Sequence, residues 1–317
     1  MKKSQIALCH DGLGSPWLER IRDAASEWAY VQAVPQTSAA ARDAVLASDI
    51  AIGWPDVEWL VEGRAIFFQC GSTGYESYTG NGLEAKPGFT MSNSAGTMSI
   101  PVAEHGIALM PAGARNLPLH ARDRANRHFE RYPPYREVTG TTACICGLGG
   151  IGTEIARRCL GLGMHVTGVR ADAKKPHPLV KEVYPLKNLA EAVSSADHIF
   201  IVLPLNSATR GHFNARIFSA MKRGTGLYSL ARGAHIVEAD LLEALETGRV
   251  GFAGLDVFTQ EPLPETSPLW TAPRLFITPH CSGRSEHEFS RMCERVVDNL
   301  QRFHAGKDLR NVVMKNA

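Results

Sequence analysis

The hexapeptide Gly147-Leu148-Gly149-Gly150-Ile151-Gly152 constrains the fold of this chain more than any other segment. An apolar run at 143–146 precedes it, an amphipathic stretch at 150–162 begins inside it, and a second apolar run at 165–169 follows. By periodicity this is strand, helix, strand. Gly147 permits the tight turn, Gly149 lets a ligand approach the backbone, and Gly152 lets helix and strand pack closely. The helix N-terminus then offers N–H groups and partial positive charge to a pyrophosphate. The motif in this setting predicts a dinucleotide-binding unit, with all six residues as candidate contacts.

The rest of the chain keeps the same rhythm. Runs at 6–9, 30–34, 49–52 and 66–69 read as strands, and 17–28 as an amphipathic helix with Leu18, Ile21 and Ala25 on one face. A mainly apolar helix is expected over 102–110, after Pro101, and the Pro-rich 132–140 reads as a connection. Runs at 198–203, 226–230, 252–257 and 275–278 continue a second series. The stretch 286–304 reads as a closing helix with Met292, Val296 and Leu300 in phase. Two α/β series predict two parallel-sheet domains, Rossmann- or flavodoxin-like, with a cleft between them where a small molecule would bind.

Composition narrows the functional classes. A net charge of +2 over 317 residues gives no reason to expect a nucleic-acid partner. Arg122, Arg124 and Arg127 read as a solvated helix face. No apolar run approaches the ~18–20 residues of a membrane span, and 6–9 is far shorter than a secretory core of about 7–15 residues. A cytoplasmic protein without a membrane partner is expected. The seven scattered cysteines suggest reduced thiols. Cys144 and Cys146 share one strand face without further ligands nearby, so core packing is expected there and no metal site.

Chemistry-bearing residues gather where strands are expected to end. Ser229-Leu230-Ala231-Arg232-Gly233 closes one apolar run, Asp256-Val257-Phe258-Thr259-Gln260-Glu261-Pro262 another, and Thr278-Pro279-His280 a third. Ligands of open α/β sheets bind outside the carboxyl ends of the strands. Arg170 occupies the end of the second strand of the dinucleotide motif, where a carboxylate would hydrogen-bond the ribose 2′-hydroxyl. A guanidinium there would pair with a 2′-phosphate, so NADP is the expected coenzyme, with NAD possible. The competing reading gives the ribose to Asp172 and stacks Arg170 on the adenine.

In their order along nearly the whole chain, these motifs resemble the D-isomer-specific 2-hydroxyacid dehydrogenases. Val102-Ala103-Glu104-His105 and Leu203-Pro204-Leu205 followed by Thr209 are also typical of that family. The resemblance implies a substrate-binding domain built from 1–100 and 286–317, a coenzyme domain over 101–285, and a homodimer. It implies coenzyme contacts from Leu203, Pro204, Thr209, Leu230, Ala231, Asp256 and Gly283, with Asp256 near the nicotinamide. Thr73 and Gly74 match a turn that presents N–H groups to the substrate carboxylate, a possible anion-binding nest, and Trp54 is a candidate pocket wall.

The implied chemistry suits the residues. Reducing a 2-oxo acid needs a hydride at the carbonyl carbon and a proton at its oxygen. His280 is the natural proton donor, Glu261 would stabilise its imidazolium, and Arg232 can grip the carboxylate and polarise the carbonyl. His105 reads as a packing or interface residue. Glu261 speaks against a formate-dehydrogenase-like enzyme, where glutamine is typical. The segment 132–135 lacks the tryptophan often seen there. A small 2-oxo or 2-hydroxy acid is therefore the expected substrate, with a glyoxylate or hydroxypyruvate reductase as the leading form. An NAD-dependent dehydrogenase of another acid and a dinucleotide-sensing regulator are the alternatives. Phosphoglycerate is disfavoured because 53–78 holds only Arg64.

Overall fold

The computed structural model describes residues 3–11, 15–36 and 38–317. The chain divides into two compact units, Met1–Met98 with Ser285–Ala317, and Ser99–Arg284. In chain order the strands are β1 (Ser4–Cys9), β2 (Ala29–Val34), β3 (Ile50–Gly53), β4 (Phe67–Cys70), β5 (Thr90–Ser92), β6 (Thr142–Cys146), β7 (His165–Arg170), β8 (Glu182–Pro185), β9 (His198–Ile201), β10 (Thr225–Ser229), β11 (Val250–Leu255), β12 (Leu275–Ile277) and β13 (Val312–Lys315).

The first unit is built on a sheet of order β13-β5-β4-β3-β1-β2. Its pairings are parallel except that of β13 with β5. β1 shows why the sequence reads as a continuous apolar run. Ile6 and Leu8 face one way, into Ile21, Ala25, Met292, Val296 and Leu300. Ala7 and Cys9 face the other way, into Ala41, Val45, Leu60 and Phe68. A parallel strand covered on both faces has no polar side to alternate with. The expected burial of Ile21, Ala25, Met292, Val296 and Leu300 is found, and Leu18 packs partly buried beside them.

The second unit carries a seven-stranded sheet, β12-β11-β10-β9-β6-β7-β8, parallel at every pairing. From β6 the chain runs outward to β7 and β8, and from β9 outward the opposite way. The order therefore reverses between β6 and β9, which places a topological switch point at the end of the Gly-rich strand. One face buries Cys144, Cys146, Ile199, Ile201, Leu227 and Leu255. The helix Ser99–Ala114 lies flush on the sheet through two glycines seven residues apart. A Cβ on Gly106 would stand 2.5 Å from Leu230 Cδ1, and one on Gly113 would stand 2.3 Å from Phe252 Cδ1.

The structure revises some local expectations. The apolar helix starts at Ser99 rather than after Pro101, and it holds Pro101 in its first turn and Pro111 further along. In the first turn a missing N–H costs nothing, because that group has no helical partner. β5, β8 and β13 were not expected; they are strands of three or four residues. All seven cysteines are free thiols, six of them buried. A bond to Cys144, together with burial, keeps Cys146 well above the usual thiol range. Arg122, Arg124 and Arg127 are exposed as expected. No helix among the described residues is long and apolar enough to cross a membrane. No cluster of His, Cys, Asp or Glu among them is placed to hold a metal ion.

Candidate active site

The Gly-rich turn leaves β6 at the switch point. Gly147 has φ +115°, and a Cβ on it would lie 2.4 Å from the Val202 carbonyl oxygen, beyond the end of β9. A Cβ on Gly152 would lie 1.9 Å from the Gly147 carbonyl oxygen. Gly149 caps the helix Gly150–Gly161 and is different: a Cβ there meets nothing within 4 Å. Two glycines are thus demanded by the protein's own backbone. The third guards open space at a helix N-terminus, which is the approach a pyrophosphate needs, and the residues fit a dinucleotide. Gly152→Ala is expected to lose about 1–3 kcal/mol of stability together with coenzyme binding. Gly149→Ala is expected to keep its stability and lose coenzyme affinity. Denaturant unfolding and a coenzyme fluorescence titration separate the two, and a Gly149→Ala protein binding as wild type overturns the assignment.

Arg170 ends β7 half-buried, while Asp172, Lys174 and Lys175 lie exposed on the turn that follows. That turn folds back toward the glycines through His177. His177 Nδ1 accepts the Leu179 N–H at 3.3 Å, and Nε2 lies 3.1 Å from Thr153 Oγ1, which itself donates to Gly149 O at 2.8 Å. The hydroxyl proton being used, Nε2–H must be the donor, which assigns the neutral Nε2–H tautomer. Burial, with the positive charge of Arg170, holds this ring below the usual histidine value. Past β9, the buried Thr209 locks the Leu203-Pro204 turn by donating to Pro204 O at 2.8 Å and accepting Asn206 N–H at 2.9 Å. Leu230 and Ala231 extend β10 alongside, with Leu230 N–H on Ile201 O at 3.1 Å.

The three expected chemical groups all belong to the second unit, on consecutive loops after β10, β11 and β12. His280 Nδ1 and Glu261 Oε2 are 2.6 Å apart. The other carboxylate oxygen, Oε1, accepts the Phe258 N–H at 2.8 Å. Both oxygens of Glu261 are thereby engaged, and Nε2 is the imidazole nitrogen left to exchange a proton. The His280 side chain is 49% exposed, so that nitrogen is reachable. Arg232 is half-buried and its Nη1 donates to Ala231 O at 2.7 Å. Its loop lies directly against the Glu261 loop: a Cβ on Gly233 would stand 1.9 Å from the Phe258 carbonyl carbon.

Asp256 holds the backbone around His280. It is fully buried, and its carboxylate accepts Thr278 Oγ1–H at 2.5 Å, Cys281 N–H at 3.0 Å and Ser282 N–H at 2.9 Å. Its carbonyl accepts the His280 N–H at 2.9 Å. Burial pushes the carboxyl upward, but the bonds from Ser282, Thr278 and Cys281 outweigh it and hold Asp256 below the usual carboxylate range. The side chain therefore anchors the His280 loop. Gly283 sits in the turn just beyond, closed by Arg284 N–H on Cys281 O at 3.0 Å.

Thr73, Gly74 and Trp54 belong to the first unit. Trp54 packs flat enough on Gly71 that a Cβ there would lie 2.5 Å from its ring. Ser72 Oγ donates to Gly74 O at 2.6 Å, and Asn93 Nδ2 donates to Thr73 O at 2.7 Å. Trp54 also meets the His10 ring, with centroids 4.9 Å apart.

Sequence reasoning missed one structural histidine of this site, His235, and gave no partner for a second, His105. His235 is fully buried, with Nδ1 on Arg232 O at 2.8 Å and Nε2 at 3.4 Å from Pro204 O, so it ties two loops together. Burial holds it below the usual histidine value. His105, read as a packing or interface residue, has Nε2 3.0 Å from Thr278 Oγ1. Only its place in Val102-Ala103-Glu104-His105 marked it in the sequence.

Comparison with known proteins bears on the whole chain. Residues 107–282 match the sequence model described as D-isomer specific 2-hydroxyacid dehydrogenase, NAD binding domain. The chloroplastic D-3-phosphoglycerate dehydrogenase 2 of Arabidopsis thaliana is 36% identical over 196 residues, which are 61% of this chain and 31% of that protein. This chain thus spans only about a third of the length of that plant relative. The glycerate dehydrogenase of Methylorubrum extorquens is 33% identical over 239 residues, 71% of this chain and 72% of that one. A solved structure, a D-isomer specific 2-hydroxyacid dehydrogenase family protein from Aeromonas salmonicida, superposes with a TM-score of 0.83 at 29% identity, covering 98% of this chain and 99% of its own. The stretch matched by the sequence model contains the glycine turn, Arg170, Arg232, Glu261 and His280. With the matching fold, this establishes that the chain belongs to the D-isomer specific 2-hydroxyacid dehydrogenase family.

Proposed function

We propose that the protein reduces small 2-oxo acids, of the glyoxylate or hydroxypyruvate type, to D-2-hydroxy acids with a preference for NADPH. The observation that carries this reading is the 2.6 Å pair of His280 Nδ1 and Glu261 Oε2, on a loop beside that of Arg232. When bound, the coenzyme supplies or accepts the hydride. The chain's own residues supply the rest. Arg232 binds the acid's carboxylate and polarises the carbonyl through its fork of donors. The His280 imidazolium gives its Nε2 proton to the carbonyl oxygen and recovers it in the reverse direction. Glu261 holds the ring by Nδ1 and so leaves Nε2 as the nitrogen that faces the substrate. The same reading assigns Thr73, Gly74 and Trp54 to recognition of the acid, and makes the protein a cytoplasmic homodimer.

The coenzyme preference is supported by Arg170 at the end of β7, where a ribose-binding carboxylate would otherwise stand. Arg170→Ala is expected to lower kcat/KM with NADPH roughly 10- to 100-fold, as for a lost charge-assisted bond, and to leave the value with NADH unchanged. The test is a spectrophotometric screen of glyoxylate, hydroxypyruvate, pyruvate and bulkier 2-oxo acids with both coenzymes. A clear NADH preference in the wild type overturns the coenzyme assignment. Tight coenzyme binding with no acid turned over favours the sensor.

A further inference from the structure

We propose that His105 is a positioning residue for the reaction. It acts as an obligatory hydrogen-bond donor to Thr278 and so fixes, through Asp256, the backbone conformation that presents His280. The role rests on the functional reading above, because it concerns the geometry of the proposed proton donor.

Counting protons gives the direction of every bond. Asp256 sits below the usual carboxylate range, so its oxygens only accept. The Thr278 hydroxyl, 2.5 Å from Asp256 Oδ1, therefore spends its single proton there. What Thr278 Oγ1 has left is a lone pair, and His105 Nε2 lies 3.0 Å from it. The ring must carry its proton on Nε2. The chain of donors runs one way, from His105 to Thr278 to Asp256. Such chains polarise each successive bond.

This chain ends on a strained segment. His280 has φ +49°, in the left-handed region that a non-glycine residue rarely enters. Such a conformation costs on the order of 1–3 kcal/mol and persists only where its surroundings enforce it. Here three successive N–H groups enforce it, all gathered by one residue. His280 N–H goes to the Asp256 carbonyl at 2.9 Å. Cys281 N–H reaches Oδ1 at 3.0 Å, and Ser282 N–H reaches Oδ2 at 2.9 Å. Oδ1 is thus shared by Thr278 and Cys281. Without a donor behind it, the Thr278 hydroxyl can turn away, and the carboxylate is then free to rotate off both amides. His105 is held at the right depth for this by its neighbour Gly106, whose missing side chain lets the helix press against Leu230.

Two effects separate positioning from a general structural role. His105→Ala should lower kcat about 10- to 100-fold, the range for a lost outer-shell partner, with KM for the acid and coenzyme affinity unchanged. His105→Gln should restore most of it, because the glutamine amide can place an N–H where Nε2–H stood. Thr278→Val should match His105→Ala, and the double variant should be no worse than either single change, as expected of members of one network. Independently of turnover, the imidazole proton shared by His280 and Glu261 should shift or broaden in the NMR spectrum of His105→Ala and return in His105→Gln. An unchanged His280 signal in His105→Ala, or losses that multiply in the double variant, overturn the proposal. If the signal shifts while His280→Ala still turns over normally, the positioning stands and the assignment of His280 as proton donor falls.

Discussion

Replacing His280 by alanine is expected to lower turnover by about 10²- to 10⁴-fold, the usual worth of a positioned proton-transfer group, while coenzyme affinity is retained. The second half of this expectation follows from the structure. The glycine turn and the Leu203-Pro204 loop are held by bonds in which the His280 side chain takes no part, and Arg170 is fixed by the pairing of β7 with β8. Among the described residues, Glu261 is the side chain that grips the ring. Reduction consumes the Nε2 proton, so its rate should fall as pH rises, and oxidation of the hydroxy acid should improve over the same range. Both limbs should flatten in His280→Ala, and added imidazole should restore part of the lost rate because the side chain is 49% exposed. Wild-type turnover in His280→Ala, measured with glyoxylate or hydroxypyruvate, overturns the assignment.

Arg232→Ala is expected to cost about 2–5 kcal/mol of kcat/KM, as for a removed partner of a desolvated charge pair. That is roughly 30- to several-thousand-fold. Most of the loss should fall on KM for the acid, with a further part on kcat if the guanidinium also polarises the carbonyl. Arg232→Lys separates these contributions. It keeps the charge and gives up the planar fork, so it should recover attraction without orientation. The loop itself should survive either change. Its shape is set by Gly233, with no room for a Cβ against Phe258, and by the buried His235 bonding the Arg232 carbonyl at 2.8 Å. Steady-state kinetics against acid concentration decides the matter: unchanged KM and kcat in Arg232→Ala would remove it from the site.

The parts of this protein legible in its sequence are those in which one physical demand dominates. Strands β1, β6 and β9 are buried on both faces, so their apolar runs announce them. Gly147 and Gly152 are fixed by backbone contacts that no side chain can accommodate. β5, β8 and β13 escaped notice because they carry no long apolar run: β5 is Thr-Met-Ser, and no residue of β8 or β13 is fully buried. The hydrogen bond of His105 escaped for another reason. Its partner Thr278 is 173 residues away, and the bond depends on how closely Gly106 lets a helix approach the sheet. Asp256 was found by motif, but its grip on three consecutive amides belongs to the tertiary structure.

The antiparallel pairing of β13 with β5 also bears on how the molecule is made. Residues 99–284 form one continuous stretch and can complete their sheet while the chain is still being synthesised. The other unit draws its sheet from both sides of that stretch, and its last strand emerges from the ribosome only with residues 312–315. The half that holds the glycine turn and His280 can therefore mature first. The half that holds Thr73 and Trp54 stays open at one edge until β13 is in place, with the β5 strand exposed to any other extended chain in the meantime.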